Sequence, residues 1–164
     1  MEEGPPLQGT VCPRLCHDGR GSLSYPLVEG MPIEILPIGY IQGRFGRPRR
    51  NRVLRAYPCW IHIYPRYWAG LSGLSPGDRI LVLFWMDRAC RGTLLVHPRG
   101  DKERPLRGVF ATRSPHRPNP IGATVARVLE VRGGAMLVDG LDALDGTPVL
   151  DIKIHAPEFD DPCP

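Results

Sequence analysis

No stretch of this 164-residue chain approaches the roughly 20 consecutive apolar residues that a membrane-spanning helix needs, so no such helix is expected. The first residues, MEEGPPLQGT, are acidic and lack the apolar core of a signal peptide, which gives the expectation of a cytoplasmic protein. The phosphate-cradling loops GxGxxG and GxxxxGKS/T are missing, as are HExxH, GxSxG and any paired CxxC. Their absence excludes the common dinucleotide-fold layout, P-loop enzymes and zinc hydrolases. It leaves open an enzyme whose ligand is held by loops. Five cysteines are an odd number and argue against a disulfide framework. Cys12, Cys16 and His17 make half a metal site that no second pair completes, so no metal is expected and reduced thiols are the default. Lysine is nearly absent, with only Lys102 and Lys153, so the 21 basic residues are overwhelmingly arginine.

What is abundant is punctuation. Nineteen prolines and nineteen glycines are spread among apolar runs and form no low-complexity tract, a pattern of short strands joined by tight turns. Residues 1–32 have no clear period and read as a loosely ordered N-terminal arm; 33–164 read as one domain. The run Ile33–Ile41 alternates well enough for a strand, with Pro37 favouring an edge or bulge. Residues 42–55 read as a loop, and Cys59–Tyr64 alternates strictly as a strand, with His62 on the face opposite Ile61 and Ile63. Residues 67–74 have helical apolar spacing over about two turns, ended by Ser75-Pro76-Gly77. Further strands are expected at 79–86, 92–97, 107–112, 121–131, 135–139 and 148–154. About eight strands with no βαβ rhythm predict a mainly β fold: a small closed or partly closed, largely antiparallel barrel with one or two short helices.

The net charge of +4 is concentrated. Residues 44–55, RFGRPRRNRVLR, hold six arginines and no acid. Guanidinium forks suit phosphate oxygens, so a polyanion, nucleic acid above all, is one reading; a solvated basic surface is the other. Two later segments are unusual. The first, RSPHRPNP at 113–120, places three prolines in eight residues. Prolines fix φ and leave such a loop little entropy to lose on binding, while Ser114 and Asn119 offer a hydroxyl and an amide. The second, residues 140–153, sets Asp142, Asp145 and Asp151 around a tight turn. Those carboxylates suit a ribose or a cationic ligand, or serve only as turn caps.

The run FATRSPHRPNPIG, followed after a strand by LDALDGTPVLDIK, closely resembles the hallmark of the TrmO family, also called YaeB or TsaA-like, and the similarity extends from about Leu36 to Pro157. The resemblance implies a small β-barrel, usually a homodimer, that binds S-adenosylmethionine outside any dinucleotide fold. It further implies methylation of N6 of threonylcarbamoyladenosine at tRNA position 37. Carried over residue by residue, Thr112 to Gly122 would cradle the cofactor, with contacts at Arg113, Ser114, Arg117, Asn119, Ile121 and Gly122. Leu141, Asp142, Leu144 and Asp145 would line the opposite wall. Removal of the N6 proton would fall to a base such as Asp142, Asp145, Asp151 or His97, or to no dedicated base where positioning suffices, and Asp151 with Lys153 reads equally well as a structural ion pair. Arg44, Arg47, Arg49, Arg50 and Arg52 are the expected tRNA backbone contacts. The chain departs from the family pattern in two places. Gln42-Gly43-Arg44-Phe45 stands where members often carry Ser-Pro, and Ile154-His155 follows Lys153 where Pro-Tyr is common. No counterpart of the downstream domain of longer bacterial members is expected. A paralogous enzyme acting on a small molecule, and a non-catalytic RNA- or nucleotide-binding module, are the alternatives.

Overall fold

The period-2 segments close on themselves. In this computed structural model, residues 24–27, 31–48 and 51–160 are described. Along the chain lie β1 (Ser24–Leu27), β2 (Met31–Glu34), β3 (Gly39–Gln42), α1 (Asn51–Leu54), β4 (Cys59–Ile63) and β5 (Arg79–Trp85). There follow β6 (Leu95–Val96), β7 (Arg107–Gly108), β8 (Ile121–Arg132), β9 (Ala135–Asp139), β10 (Pro148–Ile154) and α2 (Pro157–Asp160). The described residues fall into two compact units, one formed by 88–120 and the other by 24–87 with 121–160.

The larger unit is a closed barrel of six strands in the order β10-β3-β4-β9-β8-β5, with antiparallel pairing at every step. Closure removes the exposed edges that an open sheet of this size would carry. Alternate residues point inward, so Ile41, Ile61, Ile80, Val82, Val128, Met136, Val138 and Val149 are wholly buried. Each such side chain contributes about 1.5–3 kcal/mol relative to exposure. A turn of 3-10 helix at Pro65–Leu71 stands where the sequence predicts a short helix. Trp68 from that turn donates its indole N–H to the Ile63 carbonyl at 2.8 Å and covers Gly134, where φ is +77° and a Cβ would collide with the indole.

Two bulges decide which side chains face outward. Between Val149 and Asp151 the β10–β5 register shifts by one residue. Strict alternation would put Asp151 and Lys153 on the inward face with Val149. The bulge instead turns both outward and leaves Ile152 against the core. Between Val128 and Glu130 the β8–β9 register shifts in the same way. Val131 packs on the core, and Glu130 and Arg132 pair outside, with Arg132 Nε 3.1 Å from Glu130 Oε1.

The strand expected at Ile33–Ile41 is two elements. β2 pairs with β1 in a separate ribbon, and β3 enters the barrel after Pro37. The smaller unit holds the segments expected as strands at 92–97 and 107–112, but only two residues of each pair, as β6 with β7, and neither joins the barrel. The 3-10 turns at Pro98–Gly100 and Val109–Ala111 end the two segments early. The arginine stretch expected as loop contains α1, whose Leu54 is buried. Cys59 is a free, buried thiol. Cys90 is disulfide-bonded, which corrects the expectation of reduced thiols at that position.

Candidate functional site

In the smaller unit the proline-rich loop is tied internally by its polar side chains. A short 3-10 turn, Val109–Ala111, leads into it, and Val109 is buried. The Val109 carbonyl accepts from the Thr112 amide at 3.1 Å, the Thr112 hydroxyl at 3.0 Å and Arg117 Nη2 at 2.6 Å. The same Nη2 donates to the Thr112 carbonyl at 2.8 Å. Ser114 N–H donates to Thr112 Oγ1, Ser114 Oγ accepts from the His116 amide, and His116 Nδ1 accepts from the Cys90 amide at 3.1 Å. That last bond places the proton of a neutral imidazole on Nε2. Pro120 is fully buried, while Arg113 and Asn119 are exposed. The loop is therefore rigid for two reasons, fixed φ at the prolines and a hydrogen-bonded knot on one carbonyl. Arg117 Nε is buried and has no hydrogen-bond partner among the described residues. His97, one of the expected bases, donates from Nδ1 to the Arg104 carbonyl at 2.6 Å.

In the barrel, the LDALDGT turn is zipped to the end of β3. Asp145 N–H donates to the Phe45 carbonyl at 2.9 Å, Gly146 N–H to the Ile41 carbonyl at 2.8 Å, and Ile41 N–H to the Thr147 carbonyl at 2.9 Å. Asp145 Oδ1 accepts from Gly43 N–H at 3.0 Å. Asp142 is held from two sides: Thr124 donates its buried hydroxyl to Oδ1, and Arg55 Nε lies 3.5 Å from Oδ2. The Asp142 side chain is only 11% exposed, which separates it from the other two aspartates. Asp151 lies on the outer face, 2.7 Å from Lys153 Nζ, with Oδ1 accepting from Ile152 N–H. The hydrogen bond to Asp151, and then its charge, push the Lys153 ammonium above its ordinary value.

The apolar site residues have packing duties. Leu141 is buried in the barrel core, Leu144 is half-buried, and Ile121 pairs with Trp85. Gly122 pairs with Phe84, whose ring fills the space a Cβ would need. Of the expected RNA contacts, Arg44, Arg47 and Arg52 are exposed. Arg49 and Arg50 lie outside the described residues, as do Cys12, Cys16 and His17. No group of three or more His, Cys, Asp or Glu that could hold a metal occurs among the described residues. No helix there is long and apolar enough to cross a membrane. Sequence reasoning passed over Thr124 and Arg55, which fix Asp142. It also passed over a row of outward-facing rings on β3 and β4, signalled by aromatics at the polar parity of both strands.

A closed six-strand antiparallel barrel with an aspartate turn, and a proline-stiffened loop in the smaller unit, define a class of β proteins that owes nothing to the dinucleotide fold. Residues 40–161 match the tRNA-methyltransferase O N-terminal domain. An S-adenosyl-L-methionine-binding protein of Archaeoglobus fulgidus is 46% identical over 128 residues, covering 76% of this chain and 90% of that protein. A probable S-adenosyl-L-methionine-binding protein of Methanothermobacter thermautotrophicus is 41% identical over 137 residues, covering 81% and 97%. The crystal structure of TrmO from Pseudomonas aeruginosa superposes with a TM-score of 0.62 at 34% identity, covering 80% of this chain and 59% of that one. The chain belongs to the tRNA-methyltransferase O (TrmO) family. It spans under two thirds of the solved TrmO chain.

Proposed function

We propose that the protein is an S-adenosylmethionine-dependent tRNA methyltransferase whose target is N6 of threonylcarbamoyladenosine at position 37. The observation that carries this reading is the family match across 40–161, which includes both the knotted loop and the aspartate turn. The residues fit the cofactor. Arg117 Nε is a buried donor without a partner among the described residues, the kind of group that a ligand carboxylate or hydroxyl satisfies. Arg113, Ser114, Arg117 and Asn119 of the smaller unit, and Ile121, Gly122, Leu141, Leu144 and Asp145 of the barrel, are the proposed cofactor contacts. When bound, S-adenosylmethionine supplies an electrophilic methyl group.

The chain's own contribution is orientation and proton management. Methylation of N6 releases its proton, and Asp142, Asp145 and Asp151 are the proposed acceptors. Asp142 has the most fixed direction of the three, because Thr124 and Arg55 hold it and only 11% of its side chain is exposed. Asp151 pairs with Lys153 on the outer face. Arg44, Arg47, Arg49, Arg50 and Arg52 are proposed to hold tRNA phosphates, which makes affinity fall steeply with salt. The homodimer and the cytoplasmic location are part of the same proposal.

Incubating the purified protein with S-adenosylmethionine and tRNA carrying threonylcarbamoyladenosine should convert that nucleoside to its methylated form, read by mass spectrometry of the digested tRNA. An unchanged nucleoside alongside measurable cofactor binding would leave a binder without transfer. That second reading is favoured by the relatives' names, which stop at cofactor binding.

A further inference from the structure

The outer face of β3 and β4 carries rings where a water-facing strand pair ordinarily carries polar side chains. Tyr40 and His62 are directly opposed in the register and stack at 5.0 Å between centroids with 17° between planes. Tyr64 lies 6.3 Å from Tyr40 on one side, and Trp60 lies 6.5 Å from His62 on the other. Gln42, opposite Trp60, places Oε1 2.7 Å from His62 Nε2 and fixes the imidazole in the row. The β8 bulge delivers Arg132 to the end of this row, its guanidinium 5.0 Å from the Trp60 ring centre. Just past Gln42, Arg44 lies 4.5 Å over the Tyr57 ring, and Phe45 meets Tyr57 edge-on at 5.7 Å. Tyr40 is 41% exposed and Tyr64 38%.

We infer that this face binds unpaired nucleobases of an RNA, the Tyr64–Tyr40–His62–Trp60 row stacking on bases while Arg132 and Arg44 meet the adjoining phosphates. The inference rests on the tRNA reading and gives that substrate a specific footing. Every base has a π face, so ring rows of this kind recognise single strands with little sequence preference. The flanking cations select a polyanion. A second copy of the chain is the competing occupant, but a two-fold contact would set this basic aromatic face against itself. Glu130, paired with Arg132, is the acid that the ring and ion-pair contacts place beside the row.

The test uses the full chain and three probes: unfractionated tRNA, single-stranded oligouridylate, and duplex RNA of the same length as the oligouridylate. Tyr40→Ala and Tyr64→Ala should each weaken binding of tRNA and oligouridylate roughly 5- to 150-fold, the loss of about one stacked base. Tyr40→Phe should stay within about twofold of the parent, because the ring remains. Duplex affinity and the salt dependence should be unmoved, since no charge is removed. Unaltered oligouridylate and tRNA affinity in both alanine variants overturns the inference while leaving the tRNA reading intact. A change only in sedimentation behaviour assigns the face to a second copy and overturns it as well. If the parent protein binds none of the three probes, the inference and the tRNA reading both fall.

Discussion

Replacing Gly122 by alanine puts a methyl group where the Phe84 ring now lies. A Cβ built on Gly122 would lie 2.8 Å from Phe84 Cδ2 and closer still to Cε2 and Cζ. Ordinary carbon–carbon contact is about 3.5–4.0 Å, so the ring must retreat by more than about 1 Å. Phe84 is 3% exposed and packs in the barrel core, so it has no open space to enter. Overpacking of this kind costs about 1–3 kcal/mol, offset by about 0.5–1 kcal/mol because alanine loses less chain entropy than glycine on folding. The net expectation is a loss of about 1–2 kcal/mol, or roughly 2–8 °C in Tm at this chain length. Urea and thermal unfolding of G122A, F84L and the double variant would give the coupling between the two positions. The smaller leucine should accommodate the new methyl group, so the double variant should be at least about 1 kcal/mol more stable than additivity predicts. Costs that add to within about 0.5 kcal/mol would refute the packing account. If in addition G122A unfolds like the parent but loses S-adenosylmethionine affinity, Gly122 serves ligand approach alone.

Arg117→Ala removes the guanidinium that ties the carbonyls of Val109 and Thr112. Hydrogen bonds to charged groups contribute about 1.5–3 kcal/mol each, so amide exchange at Thr112 should accelerate at least tenfold while barrel amides such as Val82 keep their protection. Equal exchange at Thr112 in variant and parent would show that the prolines alone hold the loop. Burial, and secondarily the Asp139 carboxylate, push the Cys59 thiol from 9.0 up to about 11. The folded protein therefore keeps this proton while the unfolded chain loses it, and stability falls as pH rises from about 9 to about 11, by roughly 2–3 kcal/mol in total. Cys59→Ala should lack that alkaline loss, and a parallel pH dependence of urea stability in parent and variant would contradict the assignment.

The barrel was legible because burial and alternation agree in its central strands. Cys59–Ile63 and Ala135–Asp139 lie where period 2 puts them, and the apolar run from Ile80 fills β5. Legibility stops where parity breaks. In the LDIK segment, Val149, Asp151 and Lys153 share one parity, and nothing in the letters marks the unpaired residue that sends the two charges to the other face. Arg132 reaches Trp60 through the same device on β8. The loop at 113–120 was legible in its stiffness, which proline chemistry guarantees, but not in its wiring. That one carbonyl, Val109, accepts three donors depends on a 3-10 turn fixed by packing of the Val109 side chain and not by any local motif. Likewise Asp142 is positioned by Thr124, 18 residues earlier, and Arg55, from the far side of the sequence. The motif letters thus mark candidate residues, whereas bulges and long-range hydrogen bonds decide which face each of them takes. The letters mark Asp151 as strongly as Asp142, yet Asp151 lies on the outer face beside Lys153 while Asp142 is held between Thr124 and Arg55.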